Sequence, residues 1–486
     1  MNPTPQIQGW CPGAWQPMAS GDGLVVRVRP PLGRLTLHQA LRLSRLAQVH
    51  GAGTLELSSR ANVQLRGVPP ERHAALLRSL AACGLLDADA RSERLRNVVV
   101  DPLHRPGDGV QALALALHQA LARSPELDAL PAKFGWSIDG GYSTWLHGVS
   151  ADIRLLRAPG LGTTAWRVQP DGLRWALAAN NQQDAVAAGL ALARWFAQRC
   201  LRQKAVGQRA GRMAACAKEL ESALHHPADE NSTATATATA TSTSTSMAWL
   251  ADLPAGVAWV PADGVVTAQA PEHIRGDDAL PGWVPGVGTL VAAPLGRVPA
   301  QAWADMVGAA RRSGVTGLRI TPWRMVLLES GSGIAGSVRQ GCEAAAGLAS
   351  SPHWITHPDD PRLRVSACTG APGCPQAHAP TQALALACAP HVPPGAHLHV
   401  SGCAKGCARQ APATVALRAE ATERGPIWAV IRQGTASQVT DERMKEAILQ
   451  DNPGLLFAKN SCSTATKPRA PRSTGSPLPP SGAKPS

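Results

Sequence analysis

Residues 23–51 read GLVVRVRPPLGRLTLHQALRLSRLAQVHG, and the tetrapeptide PLGR at 31–34 returns at 294–297 within TLVAAPLGR. The offset, 294 − 31 = 263 residues, also carries Gly51 onto Gly314, Leu55 onto Leu318, Val63 onto Val326 and Leu65 onto Leu328 without a gap. Each copy alternates like a strand, turns, runs at helical period and alternates twice more. In the first copy these segments are GLVVRVRP, PLGR, LTLHQALRLSRLAQVHG, TLELSS and VQLRGV. In the second they are TLVAAPLGR, a helix through Ala302 to Ala310, GLRITPW and RMVLLES. A further helix pattern follows each, ERHAALLRSLAACG and SVRQGCEAAAGL, which gives two βαββα units of ferredoxin-like character.

Working outward, a second α/β segment follows each unit, so the chain is α+β and duplicated. The expected divisions are a first ferredoxin-like half-domain at 1–88, an α/β domain at 89–230, a second half-domain at 247–350 and a second α/β domain at 351–460. Between the halves, NSTATATATATSTSTS has no apolar side chain larger than Ala, which makes 231–246 a flexible linker. The Ser-, Pro- and Lys-rich end, 461–486, reads as a disordered tail that contains Cys462.

With 486 residues and 44% hydrophobic content, the chain can bury more than one core. The N-terminus, MNPTPQIQGWCPGAW, has no charged and then apolar leader, and no stretch approaches the length of a membrane span. The expectation is a cytoplasmic protein with no membrane partner. Eleven cysteines, an odd number, suit reduced thiols and metal ligation better than a disulfide framework. The net charge of +13 is mostly arginine, since only eight of 47 basic residues are lysine. No basic run is interleaved with aromatics, which argues against nucleic acid. Arginine suits a polycarboxylate ligand through bidentate pairing, although genomic base bias explains the total equally well.

Four cysteines carry the chemistry. RVSACTGAPGCPQ at 364–376 leaves five residues between Cys368 and Cys374, and HLHVSGCAKGCAR at 397–409 leaves three between Cys403 and Cys407. A helix in PQAHAPTQALALACAP and a strand in HLHVS would return the second pair to the first. Iron–sulfur clusters take four Cys thiolates, whereas structural zinc sites favour two-residue spacings within each pair, so the spacing leans toward a cluster. Zinc, or four small buried hydrophobes, are the other readings.

This signature resembles the sulfite and nitrite reductase family, in which Cys-x5-Cys and Cys-x3-Cys bind a 4Fe-4S cluster beside a tetrapyrrole. In that family two pseudo-twofold-related copies of a ferredoxin-like half-domain plus an α/β domain bury the tetrapyrrole at their interface. VVRVRPPLG is similar to the strand bearing an anion-binding arginine, here Arg27. LELSSRANVQLRG is similar to the segment whose Arg and Gln grip tetrapyrrole carboxylates, here Arg60 and Gln64. RLRNVVVDP and LPAKFGW resemble the stretches that supply Arg96 and Lys133. The sulfite reductases have a second lysine two places later, where this chain has Gly135. Asp139, in SIDGG, reads first as a turn residue.

GWCPGAWQPMASGDG, LPAKFGWSIDGG and SGCAKGC look closer to the precorrin-3B synthases, the oxygen-dependent branch of this superfamily. That resemblance implies C20 hydroxylation of precorrin-3A by O2, closure of a γ-lactone, and NADH as the ultimate reductant; with no nicotinamide site read in this chain, a separate electron-donor protein is expected. It further implies a mononuclear non-heme iron, for which no ligand set stands out among fifteen histidines. His397 and His399, one face of a short strand, read as strand residues. Under the alternative reading, a sulfite or nitrite reductase, siroheme is bound; in a different class stands an iron–sulfur electron carrier or redox sensor. GSGIAG at 331–336 looks like a dinucleotide fingerprint, yet the first copy has RGVPPERH at that junction, so it reads as a loop variant. Lys405, in the Cys403–Cys407 loop, reads either as facing the substrate or tuning a cluster electrostatically or as an exposed lysine, and Cys11 either as a turn residue near the site or as packing.

Overall fold

The computed structural model describes residues 11–140, 145–158, 164–225, 249, 253–262, 274–275, 278–331 and 334–457. The 231–246 linker, the 461–486 tail and part of the GSGIAG stretch lie outside them.

The first repeat builds a five-stranded sheet in the order Met18–Ser20, Gly23–Val28, Val63–Val68, Thr54–Leu57, and its last strand is Arg297–Pro299 from the second repeat. The second sheet runs Gly282–Val284, Gly288–Ala292, Met325–Glu329, Gly317–Ile320, and closes with Arg34–Leu35 from the first repeat. Each PLGR turn therefore hands the next strand to the other copy. The turn does this with two successive left-handed residues, Leu32 and Gly33 at φ 54° and 71°, matched by Leu295 and Gly296 at 55° and 76°. A leucine in that region is strained by roughly 1–2 kcal/mol, and both copies tolerate it. The exchange was not expected from sequence, because Arg34 and Leu35 merge into the helix pattern.

The exchanged arginines meet mirrored ion pairs. Arg297 reaches Glu56 at 3.6 Å, and Glu56 also faces Arg66 at 3.5 Å. In the other copy Arg34 reaches Glu329 at 2.6 Å, and Glu329 holds Arg319 at 2.7 Å. By the repeat offset, 56 + 263 = 319 and 66 + 263 = 329, so the acid and base have changed places while the exchanged strand keeps its arginine.

The helices behind the two sheets, Leu37–His50 and Ala300–Arg312, pack on one another. The first starts at Thr36, whose side chain and that of Gln39 form a capping box. One continuous core holds both copies together, with Leu43, Leu65, Trp303, Met306 and Trp354 fully buried.

The first α/β segment is a six-stranded sheet from Val98–Val100 through Trp136–Asp139, Ile153–Arg157, Trp166–Pro170 and Trp175–Ala179 to Ala258–Pro261. That last strand follows the linker in sequence, yet pairs antiparallel with Trp175–Ala179. Helices Val110–Ala122 and Gln182–Ala205 pack on it around Trp136, Trp166 and Phe196. The second α/β segment is a five-stranded sheet, Val365–Ala367, Leu398–Ser401, Ala413–Glu420, Ile427–Gly434 and Arg443–Met444. No helix among the described residues is long and apolar enough to cross a membrane.

Candidate functional site

Val365–Ala367 and Leu398–Ser401 are neighbouring parallel strands, joined through the Gln382–Cys388 helix. The crossover puts Cys368 and Cys403 just past the carboxyl ends of adjacent strands, where an α/β sheet leaves its loops free to bind. Cys368 N still donates to Val400 O at 3.2 Å, continuing the ladder. Beyond it, Gly370 turns left-handed at φ 70° and Cys374 N donates to its carbonyl at 2.8 Å. Gly406, at φ 58°, makes the equivalent turn before Cys407.

All four cysteines line one cavity of about 340 Å3. Gly402 N donates to Cys368 Sγ at 3.2 Å, and a Cβ on Gly402 would fall 2.6 Å from that of Ala377, so the backbone is bare where it approaches the sulfur. Burial pushes the Cys407 thiol up to about 11, with Cys368, Cys403 and Cys374 adding to it against Lys405. Burial raises Cys403 too, and Cys368 and Cys374 again contribute. No three His, Cys, Asp or Glu side chains among the described residues crowd closely enough for a single ion. A cubane cluster takes four thiolates, each on a different iron, and the four cysteines on this one cavity are a donor set of that kind.

The cysteine loop is tied to the first repeat. Gly373 O accepts from Gly21 N and from Arg66 Nη2, each at 3.1 Å, and from the Ser20 hydroxyl. Arg66 is buried and forks onto Asp22 at 2.9 and 3.0 Å. It lines the cavity as well, and sequence reasoning missed it; its signal is the repeat, which pairs it with Glu329.

Of the five basic and polar residues expected at the site, Arg27 and Gln64 line the cysteine cavity and sit opposite each other in adjacent strands. Burial pulls the Arg27 guanidinium down to about 10, against the pull of the neighbouring Cys11 and with the push of Arg29 and Arg60. Its Nε is buried without a hydrogen-bond partner. Arg60 lines an adjoining cavity of about 260 Å3 with Trp145, Ser150 and Trp323. Its Nη2 reaches Ser150 Oγ at 3.4 Å while Nη1 is buried and unpartnered. A third cavity, about 760 Å3, shares the lining residue Ser59 with both.

Arg96 instead forks onto Asp87 at 2.6 and 2.8 Å and donates to Arg29 O, and Lys133, half-buried, lines none of these three cavities. At Gly135 a Cβ would lie 2.8 Å from Arg60 Nη1 and 2.9 Å from Asn97 Nδ2, so a second lysine there would displace Arg60. Asp139 is buried and accepts from Leu146 N at 3.1 Å. His397 Nε2 and His399 Nδ1 each lie 3.0 Å from Ser366 Oγ. Burial first, then nearby Arg409, lowers His397 to about 4; in His399, also about 4, burial outweighs the opposing contact with Ser366. Sequence also missed Arg324, which borders two of the three cavities.

Exchanged half-domains and a cysteine-lined chamber between them define the class: the fold is that of the nitrite and sulfite reductases. The nitrite/sulfite reductase ferredoxin-like half domain matches residues 16–83. The structure of NirA from Mycobacterium tuberculosis superposes with a TM-score of 0.61 at 18% identity, covering 89% of this chain and 79% of that one. Among individual proteins, the chain resembles precorrin-3B synthase from Sinorhizobium sp., 26% identical over 446 residues, 90% of this chain and 86% of that protein. A ferredoxin–nitrite reductase from Synechococcus elongatus is 28% identical over 172 residues, 34% of this chain and 33% of its own length.

Proposed function

We propose that this protein is an oxidoreductase of tetrapyrrole chemistry that hydroxylates precorrin-3A at C20 with O2 and closes the γ-lactone of precorrin-3B. The observation that carries the reading is one chamber in which four cysteines face Arg27, Gln64 and Arg66. Likeness to precorrin-3B synthase across 90% of the chain supports the same substrate class.

Cys368, Cys374, Cys403 and Cys407 would hold a 4Fe-4S cluster, which supplies single electrons that O2 requires to react with a closed-shell molecule. Hydroxylation balances as RH + O2 + 2e⁻ + 2H⁺ → ROH + H2O, with NADH as the ultimate electron source through a separate donor protein. Arg27 and Gln64, which line the cysteine cavity, and Arg60, which lines the cavity beside it, would bind acidic side arms, the arginines as cations and Gln64 as a neutral donor. A mononuclear iron beside the substrate remains part of the proposal, with no ligands assigned.

Siroheme-dependent sulfite or nitrite reduction is the competing activity, and a second lysine at Gly135 would require Arg60 and Asn97 to move. The deciding experiment is an anaerobic ultraviolet-visible spectrum with iron and sulfide assays, followed by turnover of precorrin-3A under 18O2. Cluster absorption without isobacteriochlorin bands, and one labelled oxygen in the product, is the expected result. Bound siroheme with no precorrin turnover would move the protein to the reductases.

A further inference from the structure

Arg324 occupies a backbone position that the fold has shaped around it. Its φ is 60°, a left-handed conformation unusual for a long side chain. The repeat explains the bend, since 324 − 263 = 61 and Ala61 has φ 53°, but the first copy puts only a methyl group there. The stem of Arg324 lies on the PLG turn of its own repeat: a Cβ on Gly296 would stand 2.8 Å from Arg324 Cδ and 3.1 Å from its Cβ and Cγ. At Gly33, the counterpart, the nearest atom is Ile320 O at 3.6 Å. The second copy alone uses the missing side chain to bed an arginine.

The guanidinium so placed borders both the cysteine cavity and the larger cavity beside it. Among the described residues it makes one hydrogen bond, Nη2 to Ala408 O at 3.2 Å, out of five N–H donors. Burial lowers its pKa, and Glu56 opposes that, yet Glu56 is already engaged by Arg66 and Arg297. Arg409, two residues past Cys407, lines the larger cavity too and donates through Nε to Pro412 O at 3.2 Å. Asp359 is the acid in that lining, and its side chain is 84% exposed. A partly desolvated cation with spare donors, in a wall with little opposing charge, favours an incoming anion.

We propose that Arg324, seconded by Arg409, is a carboxylate-binding subsite contributed by the second repeat, which takes acidic side arms of a polycarboxylate tetrapyrrole lying across the two cavities. This rests on the tetrapyrrole reading of the chamber. It adds a clamp from the half of the molecule in which sequence comparison had placed none, and it puts that clamp one residue from the loop of Cys407.

The test titrates the purified holoprotein with uroporphyrin, a stable octacarboxylate, by fluorescence quenching, with its octamethyl ester as the uncharged control. Arg324→Gln weakens uroporphyrin binding about tenfold, the size of a lost charge-assisted pair, and leaves cluster absorption unchanged. Gly296→Ala, which lifts the arginine stem, weakens it similarly, whereas Arg311→Gln on an exposed helix face does not. Uroporphyrin bound equally well by wild type and Arg324→Gln would overturn the subsite alone. Wild-type protein that binds no uroporphyrin would overturn the tetrapyrrole reading and the subsite with it.

Discussion

The indole Nε1 of Trp303 donates to the carbonyl of Ala40 at 2.9 Å, and the two residues are 263 positions apart. That separation is the repeat offset itself, so the bond joins the same position of the two copies and lies where their helices cross on the pseudo-twofold axis. Trp303 is fully buried among residues of both copies. Trp303→Ala should cost about 3–5 kcal/mol, and Trp303→Phe about 1–3 kcal/mol through the unpaired Ala40 carbonyl. Urea unfolding followed by circular dichroism would check both; a near-neutral Trp303→Ala would mean that the copies are not held at this crossing.

The mirrored ion pairs predict an acid-sensitive interface. Burial opposes ionisation of Glu329, but Arg319 and Arg34 together hold its carboxyl below the usual range. A depressed folded pKa stabilises above the unfolded value and is lost as pH falls through the folded one. Glu329→Gln should therefore destabilise by about 3–5 kcal/mol at neutral pH, because Arg319 is left buried and uncompensated, and should flatten the acid side of the stability curve. Melting temperatures across the acid range would show it.

A second pH dependence has the opposite sign. Burial first, and then Asp139, raises the carboxyl of Asp101 well above the ordinary range. Stability from that group is complete below the unfolded carboxyl pKa and is lost as pH rises toward the raised folded value. Asp139→Asn removes the neighbouring charge and should lessen the loss of melting temperature between mildly acidic and mildly alkaline buffer. An unchanged alkaline slope would show that the two carboxyls do not interact.

Position, rather than cysteine content, should decide cluster binding. Cys403→Ser is expected to lower iron and acid-labile sulfide and to bleach the visible absorption. Cys388→Ser, in the buried core of the same sheet, should cost some stability and leave the spectrum intact. Equal spectral loss in both variants would count against the four-cysteine assignment.

Arg66 joins the first repeat to the cysteine loop through Gly373 O and forks onto Asp22, so Arg66→Ala should destabilise by about 3–5 kcal/mol and lower the iron retained on purification. Thermal unfolding and an iron assay on the same preparation would check it; full iron content would mean that the loop holds its shape alone.

Much of this was legible in the chain because it is local or periodic. The repeat, the helix and strand patterns and the two cysteine loops depend on short-range spacing, and the structure has strands or helices where those patterns lie. The exchange of Arg34–Leu35 and Arg297–Pro299 between sheets was not legible, because a two- or three-residue strand has too little periodicity to announce its partner. Nor was Arg324, whose importance comes from a glycine 28 positions away in sequence, by 324 − 296. Arg27 and Arg96 look alike as sequence, yet one lines the chamber and the other is held by Asp87.

The sequence by itself determined the duplication, the ferredoxin-like units and which cysteines could act together, since each follows from side-chain pattern and spacing along the chain. Only the tertiary structure decided which arginines line the cavities and which are consumed by carboxylates. That choice depends on desolvation and on partners brought close from distant segments, and neither quantity is written in the order of residues.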